Sequence, residues 1–123
     1  MNLITRAELR QKLDRHEEFK LVMTLSERAY EEKHIPTSLH ADCVEDALAV
    51  LDPLDEIVVY CADVRCAASI YAYHSLEREG FTRVRRYAGG IADWEDAGYG
   101  LDSGPVDGPR PRSATSKPWW ICR

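Results

Sequence analysis

Two cysteines stand close together where an apolar run ends, in the stretch VVYCADVRCAAS at residues 58–69. Cys61 and Cys66 are separated by Ala62, Asp63, Val64 and Arg65, and followed by Ala67, Ala68 and Ser69. Such a pair can hold a metal, close a disulfide or do sulfur chemistry. A metal centre needs further ligands, and no second cysteine pair or histidine pair has finger-like spacing, so no metal is expected. Nucleophilic chemistry needs a thiolate. A sulfur at the carboxyl end of a buried parallel strand, facing loop amides and a helix N-terminus, is placed to become one. Both effects would lower the Cys61 pKa from an ordinary value of about 8.5. From position alone, Cys61 reads equally well as a small buried residue at a strand end.

The elements around this loop are legible in the pattern of residues. EIVVY at 56–60 is short, apolar and rich in β-branched residues, as a strand buried on both faces is. Upstream, TRAE at residues 5–8 has the form of a capping box, with Leu9 and Leu13 on one helical face. FKLVMT at 19–24 reads as a strand, and Ser26 caps a short helix that closes before Pro36. DCVE at 42–45 repeats the capping-box pattern, with Val44, Ala47, Leu48 and Leu51 on one stripe and Pro53 as a stop. Beyond the loop, a helix is expected from Ser69 to Glu79 through Ile70, Tyr73 and Leu76, with Gly80 as its C-terminal cap. RVRRY then gives a strand, and Gly89-Gly90 turns the chain into a helix through Trp94 to Ala97. Alternating strands and helices imply an α/β fold with a parallel sheet covered on both faces.

Composition bounds the function. The 123 residues fit one domain, and 45% hydrophobic with 30% charged residues is ordinary for a globular chain. A net charge of −5 argues against a nucleic-acid partner, while a small anionic substrate remains compatible with a local positive field. No run is long enough to span a bilayer, and the N-terminus lacks a signal-peptide core, so no membrane association and a cytoplasmic setting are expected. Thiols there are normally reduced. The domain is expected over residues 1–102. Residues 103–123 are dense in Pro, Gly and Ser and read as a tail ending in WWICR. Trp119 and Trp120 either dock on the domain or on a second copy, or meet a protein partner.

YCADVRCAAS followed by LEREGFTRVRRYAGGIADWEDAGY resembles the single-domain rhodanese-like sulfurtransferases, in a subgroup with a second cysteine in the loop. AYEEKHIPTSLH resembles the family's E-x-G-H-I-P-G-A segment, and the likeness runs from about Thr5 to Leu101. It implies a three-layer sandwich with a central parallel sheet, no cofactor, and Cys61 as the catalytic residue in a substrate-binding loop of residues 62–69. The implied reaction moves a sulfane sulfur from a small anionic donor to a thiol or cyanide-like acceptor through a Cys61 persulfide.

The chain departs from the family pattern at several positions. Cys66 stands where the loop usually carries an arginine, Met23-Thr24-Leu25 replaces D-V-R, and Thr37 replaces the glycine after Pro36. Arg65 is then the loop's arginine for steering an anion, opposed by Asp63. Cys66 reads as a resolving thiol, a second sulfur carrier or a loop filler. His34 and His40 flank the Pro36 turn as structural hydrogen-bonders, and neither Cys43 nor Cys122 has a partner that sequence assigns. Two rival functions stay open: a catalytically silent protein-binding or redox-sensing module, and a phosphatase or arsenate reductase. The latter lacks its arginine, because Ala67 occupies the position six beyond Cys61.

Overall fold

The computed structural model describes residues 1–41 and 43–104. Four parallel strands form the sheet: β1 (Lys20–Met23), β2 (Leu39–His40), β3 (Ile57–Tyr60) and β4 (Val84–Tyr87), in the order β2-β1-β3-β4. Helices α1 (Arg6–Asp14), α2 (Glu27–Glu32), α3 (Val44–Val50), α4 (Ala68–Arg78) and α5 (Gly90–Asp96) alternate with them. The alternation of side chains along each strand divides the core into two layers. Ile57 and Val59 join Val22 and Val84 under α3 and α4, against Ala47, Ala72, Tyr73 and Leu76. Val58 and Tyr60 join Leu21, Met23 and Tyr87 on the other face, against Leu9, Tyr30, Ile91 and Trp94 of α1, α2 and α5. All four residues of β3 are buried, and each aliphatic side chain there contributes about 2 kcal/mol through removal from water. The three-layer parallel α/β arrangement expected from the sequence is the one formed.

Local signals act as read at most boundaries. Thr5 Oγ1 accepts the Glu8 amide at 3.1 Å, and Ser26 Oγ accepts the Ala29 amide at 3.2 Å. At the end of α4, Gly80 takes φ +95°, so its amide reaches Glu77 O at 3.1 Å and the Phe81 amide reaches Leu76 O at 3.1 Å. These two bonds form a Schellman motif. The α4 helix starts at Ala68, one residue before the expected Ser69.

Three expectations need correction or fall outside view. Leu48 is 44% exposed, not part of the buried stripe, because α3 turns Val44, Asp46 and Ala47 inward instead. The cap position of α3 is Cys43, and Asp42 lies outside the described residues. Strand β2 was not expected at all. Its two residues are too short for periodicity to register, and pairing with Val22 and Met23 alone makes it a strand. At the other end, the Asp102 amide bonds His34 O at 2.9 Å and the Gly104 amide bonds Glu31 O at 2.9 Å. The remainder of the expected tail, with Trp119, Trp120 and Cys122, lies outside the described residues.

The turn before β2 carries strain. The Ser38 amide bonds Ile35 O at 3.1 Å, Pro36 occupies the second position, and Thr37 at the third has φ +72°. A positive φ at that position is the mark of a type II turn, which favours glycine. A β-branched residue there is strained by roughly 1–3 kcal/mol. Thr37 is exposed, so its side chain recovers little by packing. Thr37→Gly is therefore expected to stabilise the fold by about 1 kcal/mol, after the glycine's greater unfolded-state entropy is subtracted. Thermal unfolding should show Tm raised by roughly 3–6 °C, whereas a lowered Tm would mean the turn is unstrained.

Candidate active site

Cys61 follows β3 directly, and its position is fixed from two sides. The Thr24 amide and hydroxyl both donate to Tyr60 O, each at 3.0 Å, tying the end of β3 to β1. The Ile91 amide donates to Cys61 O at 3.0 Å and the Ala92 amide to Ala62 O at 2.9 Å, so α5 holds the start of the loop. That approach requires Gly90. Its φ is +65°, and a Cβ there would lie 2.3 Å from Cys61 O. The start of α5 is itself anchored by Asp93, which accepts the Tyr87 hydroxyl at 2.5 Å and pairs with Arg6 at 3.0 Å.

The Cys61 side chain emerges on the face of the sheet covered by α4. Its single S–H has two acceptors within reach, Ser69 Oγ at 3.2 Å and Cys66 O at 3.4 Å, and the residue is 1% exposed. Burial pushes the thiol up to about 11, and the adjacent Cys66 thiol adds to the rise. The Ser69 hydroxyl and backbone amide act in the opposite direction, favouring the thiolate. The expected lowering of the Cys61 pKa is thus corrected for the closed loop. A helix N-terminus does deliver an amide to the sulfur, but removal from water outweighs it. Other loop amides are engaged elsewhere: that of Arg65 bonds Asp63 Oδ1 at 2.9 Å and that of Cys66 bonds Asp63 O at 3.1 Å. Asp63 therefore shapes the loop internally.

The remaining loop residues separate into two groups. Cys66 and Ser69 converge on Cys61, with Ala68 buried behind them. Val64, Arg65 and Ala67 are exposed, and Ala62 is half-buried. His34 and His40 serve the scaffold: His34 Nδ1 contacts Tyr30 O and His40 Nε2 contacts Leu25 O, each at 2.7 Å. Among the described residues, no group of three or more His, Cys, Asp or Glu side chains is placed to hold a metal, and no helix is long and apolar enough to cross a membrane.

One residue of the site was missed by sequence reasoning. Arg86 of β4 is 7% exposed, and its Nε donates to Ser69 Oγ at 2.8 Å. The signal was present in the strand's alternation. Val84 and Arg86 share a face, so an inward Val84 places an arginine inward as well.

The family model described as Rhodanese-like domain matches residues 5–97. No curated protein is similar enough to match the chain. Among solved structures, the BH2092 protein of Bacillus halodurans is 25% identical with a TM-score of 0.77, the match covering 83% of this chain and 77% of that one. The rhodanese-like domain of the Alr3790 protein of Anabaena is 24% identical, covering 95% and 89%, with a TM-score of 0.74. The human single-domain sulfurtransferase TSTD1 is 20% identical, covering 78% and 96%, with a TM-score of 0.65. With the parallel sheet, the cysteine loop after β3 and a family match over most of its length, the chain belongs to the rhodanese-like domain family.

Proposed function

We propose that the protein is a sulfurtransferase in which Cys61 carries sulfane sulfur as a persulfide. The observation that carries this reading is the Cys61 thiol at the carboxyl end of β3, bonded to Ser69 at the start of α4. A fold neighbour that is itself a single-domain sulfurtransferase supports it. With thiosulfate as donor, the Cys61 thiolate attacks the outer sulfur. The bond to the sulfite sulfur breaks and sulfite leaves with the electron pair. The Cys61 persulfide then passes its outer sulfur to a thiol or cyanide-like acceptor, regenerating the thiolate. The proton on Cys61 must leave before attack, and the Ser69 hydroxyl and amide are the groups that favour its departure. Opening of the 62–67 segment, in which Val64, Arg65 and Ala67 are exposed, would give a donor access to the buried sulfur.

The test is acceptor-dependent turnover with thiosulfate, a small persulfide and polysulfide as donors, beside a generic aryl phosphate. Saturable sulfur transfer with no phosphate release is the expected pattern. Phosphate release dependent on Cys61 would instead favour the phosphatase branch, although Ala67 offers no guanidinium to clamp a tetrahedral oxyanion. The near-complete burial of Cys61 favours a second reading, a catalytically silent binding or redox-sensing module. That reading predicts no sulfur loading with any donor.

Cys66 serves in this scheme as the resolving thiol. Cys66 lies in the same short loop, with its carbonyl oxygen 3.4 Å from Cys61 Sγ, so its attack on a Cys61 persulfide would be intramolecular. Cys66 sulfur would bond to Cys61 Sγ, the persulfide bond would break, and hydrosulfide would leave. In Cys66→Ala the persulfide should last at least about ten times longer, and the wild type treated with polysulfide should yield a Cys61–Cys66 disulfide on peptide mapping. An unchanged lifetime with no bridge would return Cys66 to the role of loop filler.

A further inference from the structure

We infer that Arg86 is a positioning residue for the nucleophile, acting through the Ser69 hydroxyl to prepare the Cys61 sulfur for negative charge. The inference rests on Cys61 being the sulfur carrier, but its own observations are separate from that reading. Arg86 sits in β4 opposite Val59, two residues before Cys61 in the neighbouring strand. Its backbone is held from the outer side as well, by the Arg86 amide to Asn2 O at 2.9 Å and the Ile4 amide to Arg86 O at 3.0 Å. The guanidinium therefore projects from a fixed base.

Burying a guanidinium is costly unless an anion or a hydrogen-bond acceptor compensates it. Among the described residues, every other buried or half-buried arginine or lysine, such as Lys12 with Glu56 and Arg85 with Glu8, faces a carboxylate. Arg86 faces no carboxylate within ion-pairing distance among the described residues, and its side-chain hydrogen bond goes to Ser69 Oγ. That oxygen also accepts the Cys61 thiol. With both lone pairs engaged, the serine hydrogen must point elsewhere while Cys61 is protonated. When the thiol loses its proton, the hydroxyl can rotate to donate to the sulfur while Arg86 keeps its grip on the same oxygen. The hydroxyl then presents a polarised donor to the thiolate or persulfide, with a positive charge directly behind it. The anion that compensates Arg86 is thus the working form of Cys61.

The ionisable groups around the sulfur are few. The loop contributes Cys66, with Asp63 half-buried and Arg65 exposed, and β4 contributes Arg86. The α4 side presents Ser69, and the start of α5 presents Gly90 and Ile91, none of which ionises in the working range.

The test is the pH dependence of Cys61 alkylation by iodoacetamide in the full chain, followed on the Cys61 peptide by mass spectrometry, with circular dichroism to establish folding. Arg86→Met should raise the apparent Cys61 pKa by about one unit and slow alkylation at pH 8 about tenfold. Arg86→Lys, which keeps the charge without the planar Nε donor, should show a smaller rise. In a Ser69→Ala background, adding Arg86→Met should change the profile by less than about 0.3 unit, because the route through the hydroxyl is already lost. An unchanged profile in folded Arg86→Met, or effects of the two substitutions that simply add, would overturn the inference. Should Arg86→Met fail to fold, unchanged profiles in both Arg86→Lys and Ser69→Ala would overturn it equally. Alkylation requires no sulfur transfer. A shifted profile in a chain that loads no sulfur would therefore remove the proposed activity and leave the positioning role in place.

Discussion

Cys61→Ser is expected to abolish sulfur loading completely while leaving the fold intact. The substitution exchanges one sulfur for one oxygen at a position whose neighbours, Ser69 Oγ and Cys66 O, accept a hydroxyl donor as readily as a thiol. Neither the anchoring bonds from Ile91 and Ala92 nor those from Thr24 involve the Cys61 side chain. Stability should therefore change by no more than about 1 kcal/mol. A serine hydroxyl cannot carry a persulfide, so donor-dependent mass gain should disappear even though Cys66 remains. Loading that persists on the serine variant at Cys66 would transfer the nucleophile's role to the second thiol.

Gly90→Ala should have the largest effect on the architecture. A Cβ at this position meets Cys61 O at 2.3 Å and the Ala62 carbonyl carbon at 2.8 Å, and both obstacles are backbone. No side-chain rotation relieves such a clash. The φ of +65° adds the ordinary cost of a left-handed residue with a side chain. Relief requires α5 to move off the loop, which sacrifices the Ile91 and Ala92 amide bonds to Cys61 and Ala62. A loss of about 3 kcal/mol or more is expected, seen in urea unfolding as a lower midpoint with the slope unchanged. Cys61 should also become more reactive towards alkylating reagents at neutral pH as the cover over it loosens. A variant with wild-type stability and thiol reactivity would show that the close approach of α5 does not hold the loop.

The sequence made some of this legible and hid the rest for physical reasons. The caps at Thr5 and Ser26 and the glycine at the end of α4 are local devices, so local pattern suffices to find them. The strand β3 is found because burial on both faces leaves an unbroken apolar run. Leu48 and Asp46 mislead because α3 is short, and tertiary packing rather than periodicity decides which residue turns inward. Strand β2 owes its existence to its neighbour β1. At the site, the cysteine loop and its following helix could be read from residue types, but the balance between burial and amide donors at Cys61 could not, since it depends on how closely the loop closes over the sulfur. Arg86 escaped for a related reason: its contact with Ser69 spans two elements and no linear motif contains both.

The central claim is that Cys61 carries sulfur, and intact-mass spectrometry of the full chain carrying Cys66→Ala, in which no resolving thiol consumes the persulfide, after incubation with thiosulfate, a small persulfide or polysulfide tests it most directly. The account predicts a donor-dependent gain of one sulfur atom, mapping to the Cys61 peptide and lost on addition of a thiol or cyanide acceptor. A chain that stays at its unmodified mass with every donor, or gains sulfur at a site other than Cys61, would contradict it.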